Sequence, residues 1–312
     1  MENRLIASSS PHIRSDETIS RIMLDVIIAL LPATLASIYF FRFNALKLIV
    51  LSVAAAIITE AIFQKAMKKP ITINDLSAVV TGLLVAFNIP SSAPWWIPVI
   101  GSAFAIGIVK QFFGGLGHNF MNPALAARAM LLASWPTIMT DWVTPGVDAI
   151  STVTPLAILK GQAEGALSMT DMLMGNIGGS LGETSALLLI LGGIYLLYRG
   201  VINWRIPFTY IGTVVVMMLI FGGGVENAVY HLLAGGLMLG AFYMATDYSS
   251  SPVTKKGQII FGIGAGLLTA IIRLKGGYPE GVSYSILLMN VAAPLIDKYT
   301  SPKVFGEVKQ NA

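Results

Sequence analysis

Apolar residues in this chain gather into runs of roughly 15–20, the length at which a helix crosses the hydrocarbon core of a bilayer. Ten such runs are predicted as helices, at about 23–41, 48–64, 76–90, 95–111, 122–135, 184–198, 206–222, 229–246, 257–272 and 283–297. The third and fifth are short and rich in Gly, Pro or Asn, which predicts broken or re-entrant segments. Between the fifth and sixth runs the apolar pattern lapses for nearly fifty residues, 136–183. Connections in compact proteins are usually far shorter, so this polar insert is a candidate site.

Composition fixes the class. Apolar residues make up 55% of the 312, charged residues only 12%, and the mean hydropathy is +0.73. A soluble domain carries about 25% charge, so this chain lacks the polar surface to cover itself in water. It reads as an all-α polytopic membrane protein in contact with the lipid bilayer. The absence of cysteine excludes disulfides, thiolate-bound clusters and cysteine nucleophiles. His12, His118 and His231 have no metal-ligand spacing, and no metal site is predicted.

Orientation follows from Lys and Arg. With the N-terminus inside, the inner segments hold thirteen: Arg4, Arg14, Arg21, Lys65, Lys68, Lys69, Arg199, Arg205, Lys255, Lys256, Lys298, Lys303 and Lys309. The outer segments hold five: Arg42, Lys47, Lys160, Arg273 and Lys275. Lys110 and Arg128 fall at or within helix ends. The bias predicts that both termini are cytoplasmic and that the insert lies outside. It also absorbs the net charge of +4, so no nucleic-acid partner is implied. The predicted organisation is a cytoplasmic segment 1–22, a first half 23–135, the outer insert 136–183, a second half 184–297 and a cytoplasmic tail 298–312. Five spans before the insert and five after would insert the halves in opposite orientations, as in inverted repeats. Ser77-Ala-Val-Val and Ser185-Ala-Leu-Leu hint weakly at such a repeat.

The motifs each admit a structural and a functional reading. Gly114-Gly115-Leu-Gly117-His-Asn119-Phe-Met-Asn122-Pro-Ala124 joins the fourth and fifth runs. Its glycines permit tight turns, and its Asn side chains can satisfy backbone groups freed at a helix break or line a ligand. Gly178-Gly-Ser-Leu-Gly182-Glu183-Thr184-Ser185 precedes the sixth run and reads as a capped helix start or an anion cradle. Asp247 reads as an Asx turn or the rim of an inner opening. Gly262, Gly264 and Gly266 read as small residues for close helix packing. Asp25 and Glu60 are acids in apolar context, where carboxylates often mark ion paths. Asp25 is near enough to the membrane edge to snorkel. In the insert, Asp148, Ser151, Thr152 and Thr154 precede Pro155 and form either a turn and capping cluster or a modification site.

These motifs, together with Pro279-Glu-Gly-Val-Ser-Tyr-Ser-Ile-Leu-Leu-Met-Asn290, make the chain resemble, over essentially its whole length, the family of Rnf-complex D subunits. The same family includes the B subunits of sodium-translocating NADH:quinone reductases. In that family an outer loop carries Asp-x-x-Ser/Thr-Gly-Ala-Thr, matched here by Asp148, Ser151 and Thr154. Thr152 and Val153 stand where Gly and Ala are usual. The resemblance implies FMN joined through its phosphate to Thr154, with Asp148, Ser151 and Thr152 beside it. Gly115, Gly117, Asn119, Asn122, Glu183 and Thr184 are further candidates to line a cofactor. It also implies a fold similar to urea transporters, with two inverted five-helix repeats. The expected role is an electron-transfer subunit of an ion-translocating ferredoxin:NAD+ oxidoreductase. Expected partners are subunits of the A, B, C, E and G type and a flavin transferase. No diffusible substrate is expected to react on this chain alone, so no catalytic residue is assigned. The quinone-reductase relatives add a second, non-covalent flavin, riboflavin, as a candidate cofactor. The rival reading is a flavin-free channel or transporter for a small solute. Asn122-Pro-Ala124 resembles the aquaporin signature, but that fold needs two copies and this chain has one.

Overall fold

The computed structural model describes residues 17–146, 152–165, 168–183, 185–277 and 280–302. Helix α1 (Ile19–Ala66) is capped by Thr18, which accepts from Arg21 N–H, and it breaks into two arms at Arg42, where φ is 51° and ψ is −133°. A 3₁₀ turn (Ile73–Asp75) leads to α2 (Ser77–Phe87). Helix α3 (Trp96–Phe104) runs on as a π-helical segment, Ala105–Gln111. Then come α4 (Pro123–Ser134) and the short α5 (Pro136–Met139). The polar insert contributes α6 (Pro155–Leu159), α7 (Met169–Met174) and a 3₁₀ turn, Leu181–Glu183. Beyond it are α8 (Ala186–Tyr198), α9 (Arg205–Phe221) and α10 (Val225–Leu233). Next is α11 (Leu237–Leu239), which continues as a π-helical segment, Gly240–Met244. Helices α12 (Lys255–Lys275) and α13 (Val282–Thr300) close the chain. No strand occurs among the described residues, where an isolated antiparallel bridge joins Pro90 to Ser180.

One expectation needs correction. The eighth apolar run is not one helix, because α10 and α11 are separated at Ala234–Gly236. Gly235 and Gly236 take φ of 67° and 63°. The Arg273 guanidinium, 2% exposed, donates to the carbonyls of His231, Ala234 and Gly235. A buried cation from α12 thus supplies the hydrogen bonds that a continuous helix would have made. Within the insert α6 and α7 fold against the bundle, burying Leu156 and Met172 with Ala234 in a small core.

Helix ends gather into two sets, each tied by hydrogen bonds. At one end Lys69 Nζ donates to Gly114 O at 3.1 Å, Asn119 to Asp247 at 3.1 Å, Arg199 to Asp25 at 3.1 Å, and Val253 N–H to Asp297. At the other, Gly146 N–H donates to Phe40 O, Ser92 to Asp141 O, and Lys160 to Ile272 O and Gly276 O. Between these ends one side of each outer helix stays apolar and bare: Leu24, Ile28, Leu31 and Leu35 on α1 are all more than 40% exposed. The highly exposed Tyr39, Tyr198 and Tyr299 sit at helix ends, where aromatic rings meet the membrane–water boundary. An apolar exterior with buried polar pairs inside is the inverse of a soluble protein and suits lipid.

Small residues set how closely the helices approach. A Cβ at Gly192 of α8 would meet the Ala29 carbonyl of α1 and the Tyr243 hydroxyl, and one at Gly262 of α12 would meet Thr209 of α9. Thermal unfolding in detergent should therefore show Gly192→Val destabilised by about 1–3 kcal/mol through overpacking. Gly212→Ala, where nothing lies within 4 Å, should be neutral or stabilising.

Candidate functional site

At the end of the bundle where Phe40 and Gly276 lie, the insert is held by short local bonds. Thr152 N–H donates to Trp142 O at 2.7 Å. Thr154 is the N-cap of α6, its Oγ1 accepting from Ala157 N–H at 3.3 Å, with Pro155 at the first helical position. Pro there loses no hydrogen bond, because that N–H has no intrahelical partner. Leu156 anchors the turn in the small core, and Lys160 reaches the C-terminal carbonyls of α12. Partial burial of Lys160 pulls its ammonium below the usual lysine range.

Thr154 itself is only 4% exposed, while Val153 is 40% exposed. A cavity of about 370 Å³ runs past this segment, lined among others by Thr152, Val153, Pro155, Glu164, Ser168 and Asp171, with Thr154 itself turned out of the lining. The residues fit a phosphate-linked flavin in kind. A hydroxyl that could be esterified stands at the head of the short α6, and the cavity runs past its neighbours Val153 and Pro155. The lining carries two carboxylates and no cation, so the site offers space and hydrogen bonds rather than charge neutralisation. Modification requires the Thr154 side chain to leave its cap. Asp148, Ser151 and Thr184 lie outside the described residues.

The remaining sequence candidates fall elsewhere. Asn122 caps α4, its Oδ1 accepting from Ala124 and Leu125 N–H, while its Nδ2 donates to Met244 O at the end of the second π segment. Its own N–H donates to Asn290 Oδ1, and Asn290 in turn donates to Ser250 O. Asn119 donates to Asp247, which also accepts from Ser250 Oγ at 2.9 Å and from Ser249 N–H. Burial raises the Asp247 carboxyl, and these donors pull it partly back. Gly115 and Gly117 take positive φ in the turn and, with Asp247, line a vestibule of about 480 Å³ at the Lys69 end of the bundle. Asp25 is locked by Arg199 and by Tyr195 OH at 2.8 Å, joining the first arm of α1 to α8.

Glu183 is buried near the middle of the fold, accepting from Ser180 Oγ at 2.9 Å. Gly182 beside it admits no side chain, because Phe87 and Leu239 close around it. Glu183 lies within electrostatic reach of two buried guanidiniums, Arg128 and Arg273. Arg128 donates to Asn88 O and Oδ1, and pairs with Glu280. The residue pattern alone gives Arg128, Arg273, Asn88 and Glu280 no role. A signal for them exists in the chain nonetheless: two arginines inside or beside apolar runs demand buried partners.

Paired internal charges, lipid-facing exteriors and hydrogen-bonded helix breaks define an all-helical membrane protein with one polar site at each end. More particularly, residues 6–306 match the NQR2, RnfD, RnfE family, and the chain belongs to it. It is 56% identical to the D subunit of the Na(+)-translocating ferredoxin:NAD(+) oxidoreductase complex of Acetobacterium woodii, over 99% of this chain and 97% of that protein. It is 50% identical to the D subunit of the proton-translocating ferredoxin:NAD(+) oxidoreductase complex of Clostridium ljungdahlii, over 98% and 97%. A third relative, the D subunit of the ion-translocating oxidoreductase complex of Cronobacter sakazakii, is 36% identical over 96% and 98%.

Removing one partner of a buried pair strands the other. Arg128→Met should cost about 3–5 kcal/mol in thermal or denaturant unfolding, and adding Glu280→Met should recover a substantial part. Strict additivity of the two losses would show that the pair is not coupled.

Proposed function

We propose that this chain is the membrane electron-transfer subunit of an ion-translocating ferredoxin:NAD+ oxidoreductase complex and carries FMN esterified to Thr154. The observation that carries the complex is near end-to-end identity of 56% and 50% with subunits of complexes bearing that name. The observation that supports the flavin site is a threonine at the head of α6, flanked by a cavity, in the one long polar insert of the chain. The flavin, when bound, supplies one- and two-electron redox chemistry. The chain's own part is to anchor and position. Leu156 and Lys160 fix α6 to the bundle, Trp142 O holds Thr152, and the cavity gives a ring somewhere to rest beside its attachment point.

The reading extends to the assembly. The positive-inside count and the two sets of helix ends support ten passes in two inverted halves, similar to urea transporters, with both termini cytoplasmic in the cell membrane. Partners would be the other membrane and peripheral subunits and a flavin transferase acting outside. A second flavin, riboflavin, belongs to this reading without an assigned place. Relatives named for sodium and for protons both share half or more of their residues with this chain, so one scaffold serves either ion.

The test is flavin fluorescence of the denatured chain on a gel after co-expression with the transferase. The native chain should fluoresce, and Thr152→Val should remain bright. Thr154→Asn should be dark, because Asn keeps the helix cap but has no hydroxyl to esterify. Fluorescence that survives Thr154→Asn and vanishes in Thr152→Val would move the acceptor, and a dark native chain would favour the flavin-free reading.

A further inference from the structure

Of the buried charges behind the insert, Arg128 pairs with Glu280, which leaves Glu183 and Arg273 without a direct ion-pair partner among the described residues. Arg273 gives its donors to backbone carbonyls instead. Its Nε donates to Glu280 O at 3.2 Å, its Nη1 to His231 O, and its Nη2 to Ala234 O at 2.9 Å and Gly235 O at 3.2 Å. Glu183 accepts from Ser180 Oγ and stands within electrostatic reach of Arg273. A guanidinium satisfied by carbonyls rather than by a carboxylate keeps its net charge, and dry surroundings carry its field across several residues.

The two charges approach the insert at different points. A Cβ at Gly235 would meet both Leu156 and the Arg273 guanidinium, so Arg273 lies behind the turn that Thr154 caps. A Cβ at Gly178 would meet Thr152, and one at the next residue, Gly179, would meet the Glu183 carboxylate at 2.9 Å. Glu183 therefore lies on the Thr152 side. The other charged residues described in the insert, Asp141, Lys160, Glu164 and Asp171, are partly or fully exposed, where water and salt screen them. His231, buried on α10 within reach of Arg273, is the remaining titratable group there.

We propose that Arg273 and Glu183 select the acceptor within the insert: the guanidinium favours an anion on residue 154, and the carboxylate disfavours one on residue 152. Both positions carry a threonine hydroxyl, so side-chain chemistry alone does not choose between them. The cavity beside them is lined by carboxylates and no cation, and the field from behind the turn supplies the positive potential that a phosphate ester asks for. Both charges act at a distance, as positioning residues. This deepens the reading of Thr154 as the acceptor and rests on it for its physiological meaning.

The chain has no cysteine, so Thr154→Cys and Thr152→Cys each place a single thiol in the purified full-length chain. The pH dependence of its alkylation by iodoacetamide, read by intact-protein mass spectrometry, reports the potential at that atom, because the thiolate is the nucleophile. Adding Arg273→Gln should lower the thiolate fraction at position 154 by about tenfold at a fixed pH, and at position 152 by clearly less. Adding Glu183→Gln should raise it several-fold at 152 and less at 154. Arg273→Lys keeps the charge and loses the carbonyl clamp, and it should leave position 154 near its starting value. Equal shifts at the two positions, or none, overturn the proposal. Should Arg273→Gln not fold, the two Glu183→Gln measurements decide by the same rule. No flavin takes part in these titrations. A dark gel band with the expected thiol pattern removes the ester and leaves the field, and the reverse removes the field alone.

Discussion

Every interruption of a helix inside an apolar bundle frees backbone donors and acceptors, and lipid offers them nothing. This constraint organises the molecule. Where α10 stops short of α11, Arg273 collects three freed carbonyls. Where α4 begins, Asn122 takes two freed N–H groups and gives its own amide to Met244 O, the last residue of the second π segment. Where α2 ends, Asn88 donates back to Leu84 O, and its carbonyl accepts from Arg128. At the first and third of these breaks a side chain from another helix takes part in the closure, and at the second the Asn122–Met244 bond ties the first half of the chain to the second.

Charges follow the same logic. A lone ionised group in this interior would cost on the order of several kcal/mol, and among the described residues carboxylate–cation pairs join separate elements. Asp25 and Arg199 join the opening helix to α8, Arg128 and Glu280 join α4 to the start of α13, and Lys110 and Glu60 join the first π segment to α1. The first two are fully explained as struts, for both carboxylates are engaged by donors on neighbouring elements. The third differs, because half of the Glu60 carboxylate is left bare and the pair borders open space.

The apolar runs, the long insert and the small-residue stripes of α12 are legible in the sequence, since each is a matter of local composition. Gly262 and Gly266 pack against Thr209 and Thr213 as helix-contact residues, and Asp247 makes the turn contact expected of it while also bridging to Asn119. The break at Ala234–Gly236 is hidden because the surrounding residues are as apolar as a continuous span, and its cause, Arg273, lies 39 positions beyond Ala234. Lys110 reads as a helix end for a similar reason: only the fold reveals that a π turn points it at Glu60. The hinted match of Ser77 with Ser185 has no counterpart in position, since Ser77 opens a helix within the first half while Ser185 caps the first helix after the insert.

On the proposed reading, Thr154 would carry a structural and a chemical role on one atom. Its hydroxyl caps α6, and the same geometry aims it at the end of a helical turn where a phosphate would be welcome. Esterification would exchange a capping hydroxyl for phosphate oxygens that can accept from the same N–H groups, so α6 need not unravel when the group is attached. Burial of Thr154 at 4% exposure then argues for an order of events. On the proposed reading, attachment would require the segment before α6 to open while α6 itself stays formed, and the packing of Leu156 against Met172 and Ala234 would afterwards draw the tethered group against this end of the bundle. On the proposed reading, a tether on a core-anchored turn would hold its cargo more closely than one on the exposed Val153 beside it, which is a physical reason for a buried residue to serve.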